Sequence, residues 1–445
     1  MSLKPIADDA AERNWRRFVI FRVLFNARFY YPVLAVLFLD LGLSPTQYTL
    51  LNFAWALAII FSDLPAGVLA DRIGRKPLIV AAAGCMVAEM CFLIAAPTRG
   101  GTVLLLCCLA NRILSGIAEG MASGADEALV FDSLAVVNRS QEWPHVLAQV
   151  MRWQSAGMVV AMLIGGAVYD ATFMKGFFSF FGVHVYLTSA MTLRFPIYLN
   201  LITAILTLGV ALGMREPSHH FASSPAPVKL AAWDLVTTAG SWILKTPVAL
   251  FVIMAGIVLD SVTRLFMTFS SSYFREISVP EVMFGLIGAA MGSLGILVAP
   301  IARKMVAANT VATNYALMAV TIFAGVAGAA LRWKYWGVIF MLPLGSAMMM
   351  LGYIVSYYLN ALANSDRRAT ILSFKGLATN LAYGFISLVF ALVLRAIRDG
   401  GNAEDALARG LVLLPLWLII WSAAILIGFW RQRSALCQHA ASSSL

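Results

Sequence analysis

Residues 67–77 read Gly67-Val68-Leu69-Ala70-Asp71-Arg72-Ile73-Gly74-Arg75-Lys76-Pro77. This short, highly charged stretch lies between two long apolar segments. The chain as a whole is 61% hydrophobic and only 12% charged, so such a concentration of charge is unusual in it. Charged side chains between apolar segments are typical of a turn at a membrane surface, where basic residues anchor the ends of spanning helices.

The rest of the chain has the composition of a membrane protein, with a mean hydropathy of +0.83. A spanning helix needs about 20 apolar residues. About twelve stretches reach that length: 17–40, 45–70, 77–96, 102–134, 149–169, 190–213, 246–268, 281–302, 311–331, 335–360, 370–396 and 409–430. They are long and continuous, unlike the short alternating strands of a membrane barrel. The sequence therefore predicts an all-α integral membrane protein with 12 transmembrane helices.

The net charge of +10 is explained by membrane topology rather than by nucleic acid binding. If the N-terminus is cytoplasmic, Lys and Arg are more frequent in the cytoplasmic loops, as the positive-inside rule requires. Both termini are then expected in the cytoplasm. The cysteines and histidines are scattered and show no metal-ligand spacing, so we expect no metal and no other cofactor. We also do not expect the chain to be a membrane-embedded enzyme.

The stretch from Gly67 to Lys76 matches the motif G-x-x-x-D-[RK]-x-G-[RK]-[RK] residue for residue. On this basis the chain resembles the major facilitator superfamily of secondary transporters, in which the motif joins transmembrane helices 2 and 3. The resemblance implies two pseudo-symmetric six-helix bundles and a cytoplasmic latch between them. The expected latch residues are Gly67, Asp71, Arg72, Gly74, Arg75, Lys76 and Asp132, with Asp132 as the partner of Arg75.

The implied organisation places a polar segment between the two bundles. We expect a cytoplasmic N-terminus at 1–16, an N-terminal bundle at 17–213, a cytoplasmic central loop at 214–245, a C-terminal bundle at 246–430 and a cytoplasmic tail at 431–445. Residues 228–244 are apolar enough to form an amphipathic helix along the membrane surface. The outer loop at 170–192 is rich in Phe and Gly, which suits an inserted or interfacial segment.

Predicted span 4 carries the densest intramembrane charge. Its stretch Leu109-x-x-Arg112-x-x-Ser115-Gly116 resembles a second superfamily motif, l-x-x-R-x-x-q-G. Arg112, Glu119 and Asp126 are seven residues apart, close to two helical turns each, and are therefore expected on one helix face. Together with Asp63 they are the candidates for proton coupling. The alternative is a static network of ion pairs that holds the helices together.

Predicted span 5 contains small residues at the spacing of the antiporter motif G-x-x-x-G-P-x-x-G-G. The matching residues are Gly157, Gly165 and Gly166, while Ala161-Met162 replaces the central Gly-Pro. The spacing favours proton-driven efflux. Ordinary close packing of helices explains the same residues equally well.

Ionisable side chains inside spans are costly and usually face a cavity or a partner. Arg28, near the middle of span 1, is the strongest candidate for a substrate or counter-ion contact. The other cavity candidates are Asn26, Tyr30, Arg152, Asp260, Arg264 and Lys375. Asp260 and Arg264 are four residues apart, so an internal ion pair is the alternative for those two.

The expected function follows from the resemblance. It is alternating-access transport of a small organic solute across a bacterial inner membrane, coupled to protons and directed outward, by a monomer in the lipid bilayer. The alternative is proton-linked uptake of an anionic metabolite or siderophore. A non-transporting receptor or scaffold on the same fold is a more remote alternative.

Overall fold

The computed structural model describes residues 4–98, 100–216, 237, 240–363, 365–400, 406–432 and 436. Within them the chain forms α-helices joined by turns and short 3₁₀ segments. The helices are α1 (Lys4–Asn26), α2 (Leu34–Asp40), α3 (Pro45–Ile73), α4 (Arg75–Ala95), α5 (Thr102–Ala122), α6 (Ala125–Val136), α7 (Trp143–Tyr169), α8 (Ala171–Phe180), α9 (Ser189–Thr192), α10 (Phe195–Gly213), α11 (Pro247–Thr268), α12 (Ser270–Glu276), α13 (Glu281–Ala308), α14 (Val311–Ala330), α15 (Met341–Leu362), α16 (Ser365–Asp399), α17 (Ala406–Val412) and α18 (Leu414–Gly428).

Eleven helical segments of the described residues are long and apolar enough to cross a membrane. The 29-residue helix α3 occupies the place of the second predicted span. The prediction of an all-α, multi-pass membrane protein is therefore confirmed.

The helix is interrupted in predicted spans 1 and 4, which both carry candidate site residues. In span 1, α1 ends at Asn26 and α2 begins only at Leu34, after a turn and the short 3₁₀ segment Tyr31–Val33 that contains Pro32. In span 4, α5 ends at Ala122 and α6 begins at Ala125. Gly124 between them has φ of 74°, a left-handed conformation that glycine adopts without steric cost.

The described residues form two compact units. The first unit takes its residues from 1–43, 54–228 and 280–289, and the second unit from 44–53, 229–279 and 290–445. The proposed amphipathic helix at 228–244 lies mostly outside the described residues, so it stays a prediction. The division into bundles at the central loop also stays a prediction.

Glycines hold α5 against α3 in the first unit. A Cβ added to Gly116 would lie 2.7 Å from the Trp55 carbonyl oxygen, and one added to Gly120 would lie 2.9 Å from the Asp63 backbone nitrogen. Small residues four positions apart let two helix backbones approach closely, which is the dominant packing device inside a membrane.

The small residues of α7 have the same use. A Cβ on Gly157 would lie 2.8 Å from Val23, and a Cβ on Gly165 would lie 1.8 Å from the carbonyl oxygen of Phe29. Gly166 packs on the backbone of Gly285. Close packing thus accounts for all three glycines of the antiporter-like motif.

The second unit is held by aromatic and polar contacts between its helices. The Asn314 amide donates to the Tyr358 hydroxyl at 2.7 Å, and the Tyr315 hydroxyl donates to the Val252 carbonyl at 3.1 Å. Buried polar side chains need such partners, because an unpaired one is costly in a membrane protein.

The loop at 170–192 contains helix α8, whose first turn is capped by Asp170. Its Oδ1 accepts hydrogen bonds from the backbone of Thr172 and Phe173. The aromatic side chains Phe173, Phe177 and Phe180 are exposed. Exposed aromatics beside the end of a span suit the membrane interface.

Candidate functional site

A buried ion pair lies at the break in span 1. Arg28 stands in the non-helical turn after α1, and its guanidinium contacts the carboxylate of Glu89 on α4. Arg28 is 4% exposed and Glu89 is fully buried. The Phe29 backbone N–H donates to the side chain of Asn200 at 2.8 Å, which satisfies one of the donors that the break frees.

Two further charged residues of α5 lie near this pair. Arg112 is buried and its guanidinium lies over the Trp55 ring, 5.2 Å from the centroid. Glu119 is close enough to Arg28, Glu89 and Arg112 to interact with them electrostatically. We call Arg28, Glu89, Arg112 and Glu119 the first-unit charge cluster.

Glu119 differs from the other members of the cluster because it is exposed. Among the described residues, its carboxylate makes no hydrogen bond and no ion pair. It is therefore an accessible carboxylate beside charges that are buried. That combination suits a group that gains and loses a proton.

Arg28 offers almost no surface to a ligand in this structure, and its role as a substrate contact stays a prediction. Its guanidinium is buried together with the carboxylate of Glu89. The two charges are paired because an isolated buried charge would be far too costly. Tyr30 is also buried, and its role in a substrate cavity stays a prediction as well. Asn26 is half-buried and donates to the Arg22 carbonyl at 2.8 Å, and Arg152 is exposed on α7 without an ion pair to the described residues.

The prediction that Asp126 shares a continuous helix face with Arg112 and Glu119 is wrong. The chain breaks at Ser123–Gly124, so the seven-residue spacing does not continue from α5 into α6. Asp126 instead forms a buried ion pair with Arg22 at 2.6 Å, and Glu127 contacts the same guanidinium at 2.8 Å.

Asp63 is the remaining candidate for proton coupling. It is exposed on α3, and its carboxylate accepts a hydrogen bond from Ser123. Ser123 belongs to the break between α5 and α6, so Asp63 is joined to that turn rather than to the first-unit charge cluster.

The turn between α3 and α4 brings Arg75 and Asp132 together as an ion pair, the contact expected from the sequence. Arg75 also donates to the Ala128 carbonyl at 2.5 Å. Gly74, with φ of 94°, makes the turn. Gly67, Asp71 and Arg72 belong to α3, but their side chains lie outside the described residues. The role of these residues as a latch stays a prediction.

The sequence did not indicate the importance of Glu216. Its two carboxylate oxygens accept hydrogen bonds from the backbone N–H groups of Arg75, at 3.0 Å, and Lys76, at 2.7 Å. It thereby satisfies free donors at the beginning of α4, where a negative charge also complements the helix dipole. Glu216 lies 140 residues from Lys76, so no local spacing reveals the contact.

The second unit contains a cleft of about 320 Å³ between α11, α15 and α16. This volume lies at the lower end of the roughly 300–1,000 Å³ that ligand pockets occupy. Its walls combine apolar and polar side chains: Ile253, Gly256, Ile257, Asp260, Arg264, Met348, Leu351, Gly352, Val355, Lys375, Gly376, Thr379 and Asn380. Three of the predicted cavity residues, Asp260, Arg264 and Lys375, thus share one site.

Arg264 is fixed within the cleft by several partners. Its guanidinium pairs with Asp260 at 2.9 Å and donates to the Asn380 side-chain oxygen at 3.1 Å. It also lies over the Tyr383 ring, 5.4 Å from the centroid. The internal pair of Asp260 and Arg264 is therefore present inside the cleft. Lys375 has no ion pair or side-chain hydrogen bond among the described residues.

Comparison with known proteins identifies the class. The family model of the Major Facilitator Superfamily matches residues 18–391, and the chain belongs to that family. It is a transporter and not an enzyme. No curated protein matches the sequence.

Solved structures of similar fold are themselves transporters. The nucleoside transporter NupG has a TM-score of 0.69 and 12% identity, over 96% of this chain and 99% of that one. A bacterial homologue of the human lysosomal transporter Spinster has a TM-score of 0.65 and 15% identity, over 96% and 97%. A D-xylose–proton symporter has a TM-score of 0.63 and 16% identity, over 92% and 97%. Identities this low show the fold alone.

Proposed function

We propose that this transporter exports a small organic solute in exchange for protons, by alternating access, across a bacterial inner membrane. Both termini face the cytoplasm, as the distribution of Lys and Arg suggests. The cleft of the second unit is the solute site, and the first-unit charge cluster carries the coupling proton. Proton coupling is also known for one protein of similar fold, the D-xylose–proton symporter.

The exposed carboxylate of Glu119 is the observation that carries the coupling proposal. The buried pair of Arg28 and Glu89 balances its own charge, so it can stay ionised in an apolar region. Glu119 has accessible surface and no described partner. Glu119 is therefore the group that we assign to proton exchange, and its charge acts on the neighbouring Arg28 and Arg112.

The outward direction is supported by the motifs between Gly67 in predicted span 2 and Gly166 in predicted span 5. Their spacing resembles that of drug:proton antiporters. The second candidate is proton-linked uptake of an anionic solute. It is favoured by Lys375, which brings a cation without a described partner into the cleft.

Transport by the full-length protein in membrane vesicles of both orientations tests the function. With a radiolabelled panel of small organic solutes and an imposed pH gradient, we expect at least one solute to accumulate in inverted vesicles and to leave right-side-out vesicles. An uncoupler should abolish that accumulation. Accumulation in right-side-out vesicles only would establish uptake, and no transport in either orientation would refute the proposal.

Replacement of Glu119 by glutamine is expected to separate solute exchange from proton coupling. The variant keeps the size of the side chain but cannot ionise, so pH-driven accumulation should fall about a hundredfold or more, as is typical of a lost proton-transfer group. Solute exchange at equal pH should persist. The matched control is Glu276→Gln, because Glu276 belongs to an exposed surface pair with Arg332. Normal pH-driven accumulation by the Glu119 variant would exclude it from the mechanism.

A further inference from the structure

The charge balance of the second-unit cleft is uneven. It is lined by two cations, Arg264 and Lys375, against the single carboxylate of Asp260. Arg264 and Asp260 neutralise one another at 2.9 Å. The ammonium of Lys375 remains as the excess charge among the described residues of the cleft.

Lys375 is half-buried and lies close to the beginning of the candidate span Phe374–Asp399. An ionised side chain in such a place is costly and ordinarily finds a partner or lines a pathway for a charged species. Asp260 is near enough to act on it electrostatically, yet no ion pair joins the two. Arg264 donates hydrogen bonds to Asp260 and Asn380. The Asp260 carboxylate is thus paired with Arg264 and does not balance the charge of Lys375.

We infer that the cleft binds a small organic monocarboxylate, with its carboxylate on the Lys375 ammonium. This inference rests on the proposed role of the cleft as the solute site, for either direction of transport, and names the class of the solute. The single excess charge of Lys375 balances one negative charge, so a dianion such as a phosphate monoester would leave uncompensated negative charge in the cleft. The apolar residues Ile257, Leu351 and Val355 provide a surface for the hydrocarbon part of the ligand.

The geometry also assigns different tasks to the two cations. Arg264 has its donors committed to Asp260 and Asn380 and its face to Tyr383. It therefore shapes the cleft as a positioning residue. Lys375, a compact point charge with three donors, is the residue that contacts the ligand.

Thermal unfolding of the purified full-length protein in detergent tests the inference without any need for transport, because a ligand that binds the folded state raises its midpoint. The probes are acid and amide pairs of equal shape: benzoate with benzamide, nicotinate with nicotinamide, and lactate with lactamide. Phenyl phosphate is the phosphate counterpart. We expect at least one carboxylate to raise the midpoint while its amide does not.

The variants then locate the contact. In Lys375→Met the apparent Kd for that carboxylate should rise by about tenfold or more, the effect of losing one charge-assisted contact. Lys375→Arg keeps the charge and should retain part of the affinity. Lys304→Met removes an equal charge from an exposed position outside the cleft and should bind as the unaltered protein does.

Several results would overturn the inference. They are equal binding of acids and amides, preference for phenyl phosphate, no carboxylate that binds better than its amide, or unchanged binding in Lys375→Met. None of these results excludes transport of some other solute in the vesicle assay, so the proposed function would still stand. Conversely, carboxylate binding without transport in any vesicle would refute the proposed function and leave the binding site established.

Discussion

Arg28→Met is expected to lower the stability of the folded protein by about 3–5 kcal/mol, the usual cost of leaving one member of a buried ion pair alone. Glu89 would then be a fully buried carboxylate without its cation. Its Oε2 already has no hydrogen-bond partner among the described residues, so nothing else nearby compensates for the loss. The measurement is the unfolding midpoint in detergent, together with the amount of protein in the membrane.

The double variant Arg28→Met with Glu89→Met is expected to recover most of that loss, because apolar residues of similar volume can replace a buried pair at little cost. The control is Arg332→Met, which removes one partner of an ion pair whose side chains are about half exposed. Exposed pairs contribute about 0–1 kcal/mol, so this change should be nearly silent. A double variant no more stable than Arg28→Met would show that the pair is not what stabilises this region.

Gly165→Ala is the second change expected to have a large effect. The new Cβ would lie 1.8 Å from the Phe29 carbonyl oxygen, a backbone atom that cannot rotate away. Either α7 or the turn that carries Arg28 must move, at a cost of about 1–3 kcal/mol or more for an overpacked site. The midpoint of thermal unfolding should fall accordingly.

The matched control for Gly165→Ala is Gly209→Ala on α10, where an added Cβ meets nothing within 4 Å. There the same substitution should raise stability by about 0.5–1 kcal/mol, since alanine is the better helix former. Opposite signs for the two alanines would establish the backbone contact. A neutral effect at both positions would contradict it.

Hydropathy was sufficient to predict the approximate positions of the spans, and one charged motif was sufficient to identify the family. Neither could find the break at Ala27–Tyr30. A window of about 20 residues averages over a few unwound positions, and the apolar pattern continues across them. The only local signal was Pro32, which lies beyond the break itself.

Of the paired residues in the site, spacing along the chain predicted those close together and missed those far apart. Asp260 and Arg264 are four residues apart, so helical geometry suggests their contact. Glu89 lies 61 residues from Arg28, and Glu216 lies 140 residues from Lys76. Spacing along the chain carries no information about contacts over such separations, so the acidic partners of Arg28 and of the α4 terminus emerged only from the fold.

The neutrality of two ion pairs within the spans has an electrical consequence. A transmembrane voltage does work only on net charge that crosses the field, about 2.3 kcal/mol per elementary charge per 100 mV. Arg28 with Glu89 and Asp260 with Arg264 carry none when they move as pairs. The current of a transport cycle then depends on its cargo. A carboxylate that travels with one proton crosses silently, whereas a carboxylate leaving as a proton enters is equivalent to two inward charges. A voltage clamp on the reconstituted protein would therefore distinguish proton symport from proton exchange.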